Sequence, residues 1–343
     1  MNFAYHTHNI FYMSKELPSQ YQPAEVEKRI YRIWEESGFF NPDNLPPLKK
    51  PQGKGPRKKP FTIIMPPPNA NGSLHIGHAV GVTLQDIMIR FERMRGKKTL
   101  LLPGADHAGF ETQVVFDKKL EKEGRNRFEI PRSELYREML AFTRANKIIM
   151  ENQIRMLGAS CDWSREKFTL DDDIVQKTQD TFVALYDKGL IYRGERTINW
   201  CPKHQTALAD LETTHAEKKD PLYYFNYGPF EMVTARPETK FGAQYVVMHP
   251  KDTRYRRYKN GQKIDLEWIN GPVSATIIKD KAIDMKFGTG VMTITPWHDP
   301  VDFEIAAHHG LIKEQIIDHH GRLLPIAGEF SGMKIAEARP RIV

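Results

Sequence analysis

The chain has 343 residues, 40% of them apolar and 27% charged, which suits ordinary globular cores, leaves room for two domains and excludes disorder throughout. Its 50 Lys and Arg against 43 Asp and Glu leave a net charge of +7, a balance that favours a polyanionic partner. No apolar run approaches the roughly 20 residues that span a bilayer, no signal-peptide pattern opens the chain, and two cysteines, Cys161 and Cys201, are too few for a disulfide framework, so a cytoplasmic protein with no membrane partner is expected.

Residues Met1 to Phe11 show neither helical nor strand period, and Met13-Ser-Lys-Glu-Leu-Pro reads as an ordinary protein start. Translation is therefore expected to begin at Met13, with residues 1–20 a flexible leader. Val26, Ile30, Ile33 and Trp34 fall at helical spacing after Pro23, ending near Gly38. Residues 41–60 then turn to Pro, Gly and Lys, a surface linker whose basic cluster, Lys54 to Lys59, reads as a solvated loop rather than a specific phosphate contact.

Phe61 to Met65 is a short apolar, partly β-branched strand, stopped by three prolines that lack backbone donors. After Gly72, Val80, Leu84, Ile87, Met88, Phe91 and Met94 recur at spacings of three and four, predicting a helix with that face buried, ended by Gly96. His75 and His78 then lie on its first turn. A helix N-terminus stabilises anionic phosphate, and Gly72 and Gly77 remove side chains that would hold a nucleotide away. Nucleotidyl transfer needs positioned charge rather than a covalent nucleophile. The plainer alternative is that the histidines cap the helix or pack beneath the strand; their doubling around a glycine, after a strand and a Pro-Asn turn, favours phosphate contact.

Lys98 to Leu102 is a second apolar run, followed by Pro-Gly-Ala-Asp-His-Ala-Gly and a helical stretch from about Glu111 to Glu123. Strand, helix, strand, helix implies parallel strands, and ligands collect at their carboxyl ends, so His75, His78 and Asp106 are expected to share one crevice. Helical stretches over Ser133 to Leu157 and Asp173 to Lys188 come next. Cys201 and His204, in Asn-Trp-Cys-Pro-Lys-His, supply two possible zinc ligands and His215 a third, short of the four that a structural site needs, so no metal is expected. From Leu211 the chain changes to short alternating runs, Leu222 to Tyr227, Glu231 to Thr234, Tyr245 to Met248, Val273 to Ile278 and Val291 to Ile294, predicting a mainly β domain.

Pro66-Pro-Pro-Asn-Ala-Asn-Gly-Ser-Leu-His-Ile-Gly-His78 resembles the first signature of class I aminoacyl-tRNA synthetases. Leu101-Leu-Pro-Gly-Ala-Asp-His-Ala-Gly-Phe-Glu-Thr-Gln113 is similar to the valyl-tRNA synthetases among them, and the resemblance runs from about Tyr21 to the last residue. It implies an α/β fold: a Rossmann-like parallel sheet over 61–211, the N-terminal half of a nucleotide-binding domain, preceded by a helix and linker over 21–60. A mainly β editing domain would be inserted over 212–343. It further implies ATP-dependent ligation of valine to tRNA(Val), with ATP entering as its Mg2+ complex. His75 and His78 would be catalytic; Asn69, Gly72, His75, Gly77 and His78 would hold ATP. Pro66, Pro67 and Asp106 would hold the amino acid, Asp106 through its ammonium.

Thr234-Ala-Arg-Pro-Glu-Thr239 and Gly288-Thr-Gly-Val-Met-Thr-Ile-Thr-Pro-Trp-His-Asp-Pro-Val-Asp302 resemble the editing landmarks. They assign Thr234, Arg236, Thr295, Asp299 and Asp302 to hydrolysis of mischarged threonyl-tRNA. Ala235, Thr293 and Trp297 depart from the family pattern, which has Thr, Lys and a small residue there. The family's second signature, Lys-Met-Ser-Lys-Ser, is absent; Met333-Lys334 lies in a Ser-Gly-Met-Lys turn. The chain is therefore expected to be the N-terminal part of a longer, monomeric protein, inactive and poorly soluble alone. An isoleucyl-tRNA synthetase fragment, a small nucleotidyltransferase and a non-catalytic tRNA-binding or proofreading factor are the alternatives, the β domain counting against the second.

Overall fold

Pro23 opens the first helix, α1 (Pro23–Glu36), where its missing N–H costs nothing. The structure, a computed structural model, describes residues 20–45, 59–217 and 219–343; Met13 and most of the basic cluster after Lys54 lie outside them. The chain divides into two compact units, Met1–Tyr192 and Arg193–Val343.

In the first unit, β1 (Phe61–Ile64) leads through α2 (Ile76–Met94) to β2 (Thr99–Leu102). The strands pair in parallel, Phe61 opposite Thr99 and Ile64 opposite Leu102. Beyond Pro103, β3 (Gly104–Ala105) is followed by α3 (Gly109–Lys122) and the long α4 (Arg132–Met156), then β4 (Lys167–Phe168), which pairs in parallel with β3, and α5 (Asp172–Asp187). The core gathers Met65, Val82, Ile89, Leu101, Ile154, Ala159 and Cys161 between α2, the strands and the end of α4. Tyr31 docks α1 there: its hydroxyl donates to the Ala159 carbonyl at 3.0 Å and accepts from Trp163 Nε1 at 2.8 Å.

The buried face of α2 is not the expected one. Val82, Asp86 and Ile89 face inward, whereas Val80, Leu84, Ile87, Met88, Phe91 and Met94 are exposed; Ile89 is 0% and Phe91 53% accessible. The helix is apolar on two sides, and periodicity cannot say which side meets the sheet. The inner side accommodates a carboxylate because Asp86 is paired with Arg90 Nε at 2.6 Å and accepts the Ser160 N–H at 2.8 Å.

The second unit begins with the hairpin β5 (Asn199–Cys201) and β6 (Thr206–Leu208), then the hairpin β7 (Tyr223–Tyr227) and β8 (Phe230–Thr234). Gly228, at φ +59, is the first of two turn residues in that second hairpin, and a Cβ there would meet Leu266 at 3.0 Å. A four-stranded sheet follows, built from β9 (Tyr245–Met248), β10 (Lys263–Trp268), β11 (Gly271–Lys279) and β12 (Val291–Thr293) in the order β10, β11, β9, β12. Only β11 and β9 pair in parallel. Strand β10 was not among the strands expected from the sequence, although Ile264, Leu266 and Trp268 alternate there with Lys263, Asp265 and Glu267, which face solvent at the sheet edge. Two helices, α6 (Pro300–His309) and α7 (Ile335–Ile342), complete the unit. Among the described residues no helix is long and apolar enough to cross a membrane.

Candidate active site

The three prolines release β1 into a turn that runs beside the turn after β2. Asn69 and Asp106 form a parallel bridge, the Ala70 N–H donates to the Asp106 carbonyl at 2.7 Å, and the Asp106 N–H donates to the Pro68 carbonyl at 2.9 Å. The segment leading into α2 is pinned from below, where Gln153 Oε1 of α4 accepts the Leu74 N–H at 2.8 Å.

Both histidines do cap α2. His75 is the N-cap; its Nδ1 accepts the Gly77 N–H at 3.1 Å, and His78 Nδ1 accepts the His75 N–H at 3.2 Å. Capping fixes the tautomer, because a neutral imidazole that accepts at Nδ1 carries its proton on Nε2. Two Nε2–H donors therefore sit at the positive end of the helix dipole. The rings lie 3.9 Å apart, centroid to centroid. Burial, with the neighbouring His75, lowers the pKa of His78 and favours its neutral form. A Cβ at Gly77 would come within 2.9 Å of the His75 ring, so this glycine is required by the histidine; at Gly72 the same atom would meet nothing within 4 Å. Asn69, Pro66 and Pro67 are exposed on the same turn.

Asp106 holds the next turn. Its Oδ1 accepts the Ala108 N–H at 3.0 Å and lies 3.2 Å from Thr169 Oγ1. Ala108 is left-handed, φ 54, a conformation costly for a residue with a Cβ and one that the Asp106 contact helps to hold. Oδ2 takes no hydrogen bond among the described residues and is the oxygen left for a ligand. Thr169, which also stands 2.7 Å from His107 Nδ1, was missed in the sequence, as was Gln153; both act across more than 60 positions, with no local signature.

In the second unit the expected editing residues separate into different tasks. Asp299 caps α6, its Oδ1 accepting the Val301 and Asp302 N–H groups at 2.8 and 3.1 Å. Asp302 is 4% exposed; its Oδ2 accepts the Thr295 N–H at 2.7 Å while Oδ1 has no partner among the described residues. Burial raises its carboxyl to about 6. Thr234 Oγ1 accepts the Arg236 N–H at 3.0 Å, and the Arg236 guanidinium donates to the His298 carbonyl at 2.5 Å. His298 Nε2 accepts the Ile316 N–H at 3.0 Å, and burial lowers this imidazole to about 4.

Sequence reasoning overlooked Lys240, whose Nζ donates to the Thr293 carbonyl at 3.1 Å. Burial pulls its ammonium below the ordinary range against the attraction of Asp302. Thr293 Oγ1 is likewise buried with no partner among the described residues. At the β5–β6 turn, Cys201 Sγ and His204 Nδ1 lie 3.3 Å apart.

The chain is 41% identical over 339 residues to a valine–tRNA ligase of Carboxydothermus hydrogenoformans, and 42% identical over 337 residues to one of Thermotoga maritima; each match covers 96% of the chain and 37% of the relative. A valine–tRNA ligase of Aquifex aeolicus is 39% identical over 344 residues, covering 94% of the chain and 29% of the relative. The chain thus spans little more than a third of the length of the first two of these relatives. A solved LeuRS–tRNA–LeuAMS ternary complex of Agrobacterium radiobacter is 19% identical, with a TM-score of 0.46 over 87% of the chain and 44% of that protein. A sequence profile of the tRNA synthetases class I (I, L, M and V) matches residues 29–319, and the chain belongs to that family.

Proposed function

We propose that the chain is the ATP- and valine-binding portion of a cytoplasmic enzyme that ligates valine to tRNA(Val) through a valyl-adenylate, and that its second unit hydrolyses threonyl-tRNA. The observation that carries this is the pair of capping histidines at the start of α2, whose Nδ1 atoms are engaged and whose Nε2–H groups are left as donors, six residues and more after Asn69, which bridges to Asp106. A carboxylate oxygen of valine attacks the α-phosphorus of ATP, the bond to the bridging oxygen breaks, and pyrophosphate leaves with the electron pair. The two Nε2–H groups donate to phosphate oxygens as charge moves onto them. ATP enters as its Mg2+ complex, along the path opened by Asn69, Gly72 and Gly77. Asp106 Oδ2 accepts from the valine ammonium, and Pro66 and Pro67 form the wall for its side chain.

A pocket shaped for valine rejects threonine only weakly, a limit for which valine activation is itself the standing illustration. In the second unit, water attacks the ester carbonyl and the tRNA hydroxyl leaves. Asp302, ionised above about pH 6, offers Oδ1 to the ammonium or hydroxyl of threonine.

Calorimetric titration with a non-hydrolysable valyl-adenylate analogue tests the first site. Saturable binding, tighter than that of the isoleucyl analogue by about tenfold or more, is expected; no binding, or a preference for isoleucyl, would overturn it. Because the sequence has no Lys-Met-Ser-Lys-Ser run, the chain alone is expected to show no valine-dependent ATP–pyrophosphate exchange, and exchange by the purified chain would refute that point.

A further inference from the structure

We propose that Asp280, His308 and His309 form a binding site for a divalent transition-metal ion, of the Zn2+, Co2+ or Ni2+ class, at the C-terminal end of α6. Their ligand atoms all lie within 4.8 Å of one another. Asp280 Oδ2 is 2.7 Å from His309 Nε2 and 3.5 Å from His308 Nδ1, and the two rings are 4.8 Å apart.

The carboxylate is set in advance. Asp280 follows directly on β11, its N–H donating to the Met248 carbonyl at 3.1 Å and its Oδ1 accepting the Ala282 N–H at 2.8 Å, so that Oδ2 points to the histidines. Such outer contacts are what orient a ligating carboxylate. The imidazoles are placed by the end of α6, where Gly310, at φ 63, stops the helix one residue after His309. Unpaired carbonyls at a helix C-terminus carry partial negative charge, which adds to the carboxylate in favouring a cation.

Two imidazole nitrogens and one carboxylate oxygen are a donor set for these metals rather than for Mg2+ or Ca2+, which prefer oxygen alone. Metal–ligand bonds of about 2.1 Å put tetrahedral ligands roughly 3.4 Å apart. His308 is already at that separation from Asp280, His309 has to open by about 0.7 Å, and the two imidazole nitrogens, within 4.8 Å of each other, have to close by up to about 1.4 Å. The His308 side chain is 77% exposed, leaving the remaining coordination positions to water. A structural role, the His309–Asp280 hydrogen bond tying α6 to β11, requires nothing of His308, so His308 separates the two explanations.

The test uses the full 343-residue chain, purified without a polyhistidine tag, titrated with Zn2+ by calorimetry and with Co2+ by visible absorption. One ion per chain is expected. His308→Ala should weaken binding at least tenfold and remove the Co2+ bands while leaving the metal-free thermal midpoint unchanged. Asp280→Asn should weaken it as much, and Zn2+ should raise the midpoint of the parent but not of His308→Ala. The proposal is overturned if the parent takes up no Zn2+ at about 1 mM, if His308→Ala binds as the parent does, or if binding is abolished instead by Cys201→Ser or by the double change His319→Ala, His320→Ala in the other adjacent histidine pair, whose rings lie 4.0 Å apart.

Discussion

His75 does two things with two nitrogens, and substitution can separate them. Asn places an oxygen near the position of Nδ1 but nothing at Nε2, so His75→Asn should keep the cap and lose the outward donor. The expected result is a stability change below about 0.5 kcal/mol, with adenylate-analogue affinity down tenfold or more, whereas His75→Ala should lose both the affinity and about 1 kcal/mol of stability. Urea unfolding and calorimetry on the same preparations decide this; equal affinity in His75→Asn would reduce the histidine to a cap. In the second unit, two buried groups titrate in opposition. Asp302, raised to about 6, is protonated in the folded state while the unfolded side chain is ionised, so its contribution to stability falls as pH rises from about 4 to 6. His298, lowered to about 4, is neutral when folded while the unfolded imidazole is protonated, so its contribution rises over about pH 4 to 6.5. Each has a limiting slope of about 1.4 kcal/mol per pH unit, with opposite sign. Asp302→Asn should therefore gain stability relative to the parent as pH rises through this window, and His298→Gln, which keeps an acceptor for the Ile316 N–H, should lose it. Parallel pH profiles for the parent and both variants, in thermal unfolding, would show that neither group is shifted.

Among the elements, α2 gives the sharpest test, because its two apolar sides have different fates. Ile89, fully buried against Leu101 and Ile154, should cost about 2–5 kcal/mol as Ile89→Ala. Leu84→Glu and Met88→Lys, on the exposed side, should leave urea midpoints within about 0.5 kcal/mol and reduce self-association in sedimentation, since contiguous exposed apolar surface promotes association. Destabilisation by the charged variants would mean that the outer side is packed. The same helix shows what the sequence reveals. The proline stop, the strand before it and the helical period were legible in Phe61 to Gly96, because each is a local preference. The choice of buried side was not, since it depends on Asp86 finding Arg90 and Ser160, the latter 74 positions away. The histidines, the glycines and Asp106 could be named because they fall within two short motifs. Thr169, Gln153 and Lys240 could not, because their partners are set by folding rather than by spacing.

At the scale of the whole molecule, every hydrophobic cluster among the described residues closes within one unit. Tyr227, Phe230, Val246, Trp268 and Ile277 form one core of the second unit, Val247, Ile278, Ile294 and Ile305 another, and Phe241, Ile316, Leu323 and Phe330 a third. The cores of the first unit draw only on residues between Phe61 and Leu170. A fragment that keeps its cores keeps the main source of its stability, so residues 193–343 should fold when expressed alone. Scanning calorimetry should give a cooperative transition within about 3 °C of one seen in the full chain. That fragment also contains every residue assigned to editing, Thr234, Arg236, Thr295, Asp299 and Asp302, together with Lys240. If hydrolysis belongs to this unit, the isolated fragment should deacylate threonyl-tRNA faster than valyl-tRNA, and Asp302→Ala should remove the difference. A fragment that folds but treats both esters alike would leave the domain intact and the editing assignment refuted, whereas a fragment with no cooperative transition would show that the second unit depends on the first.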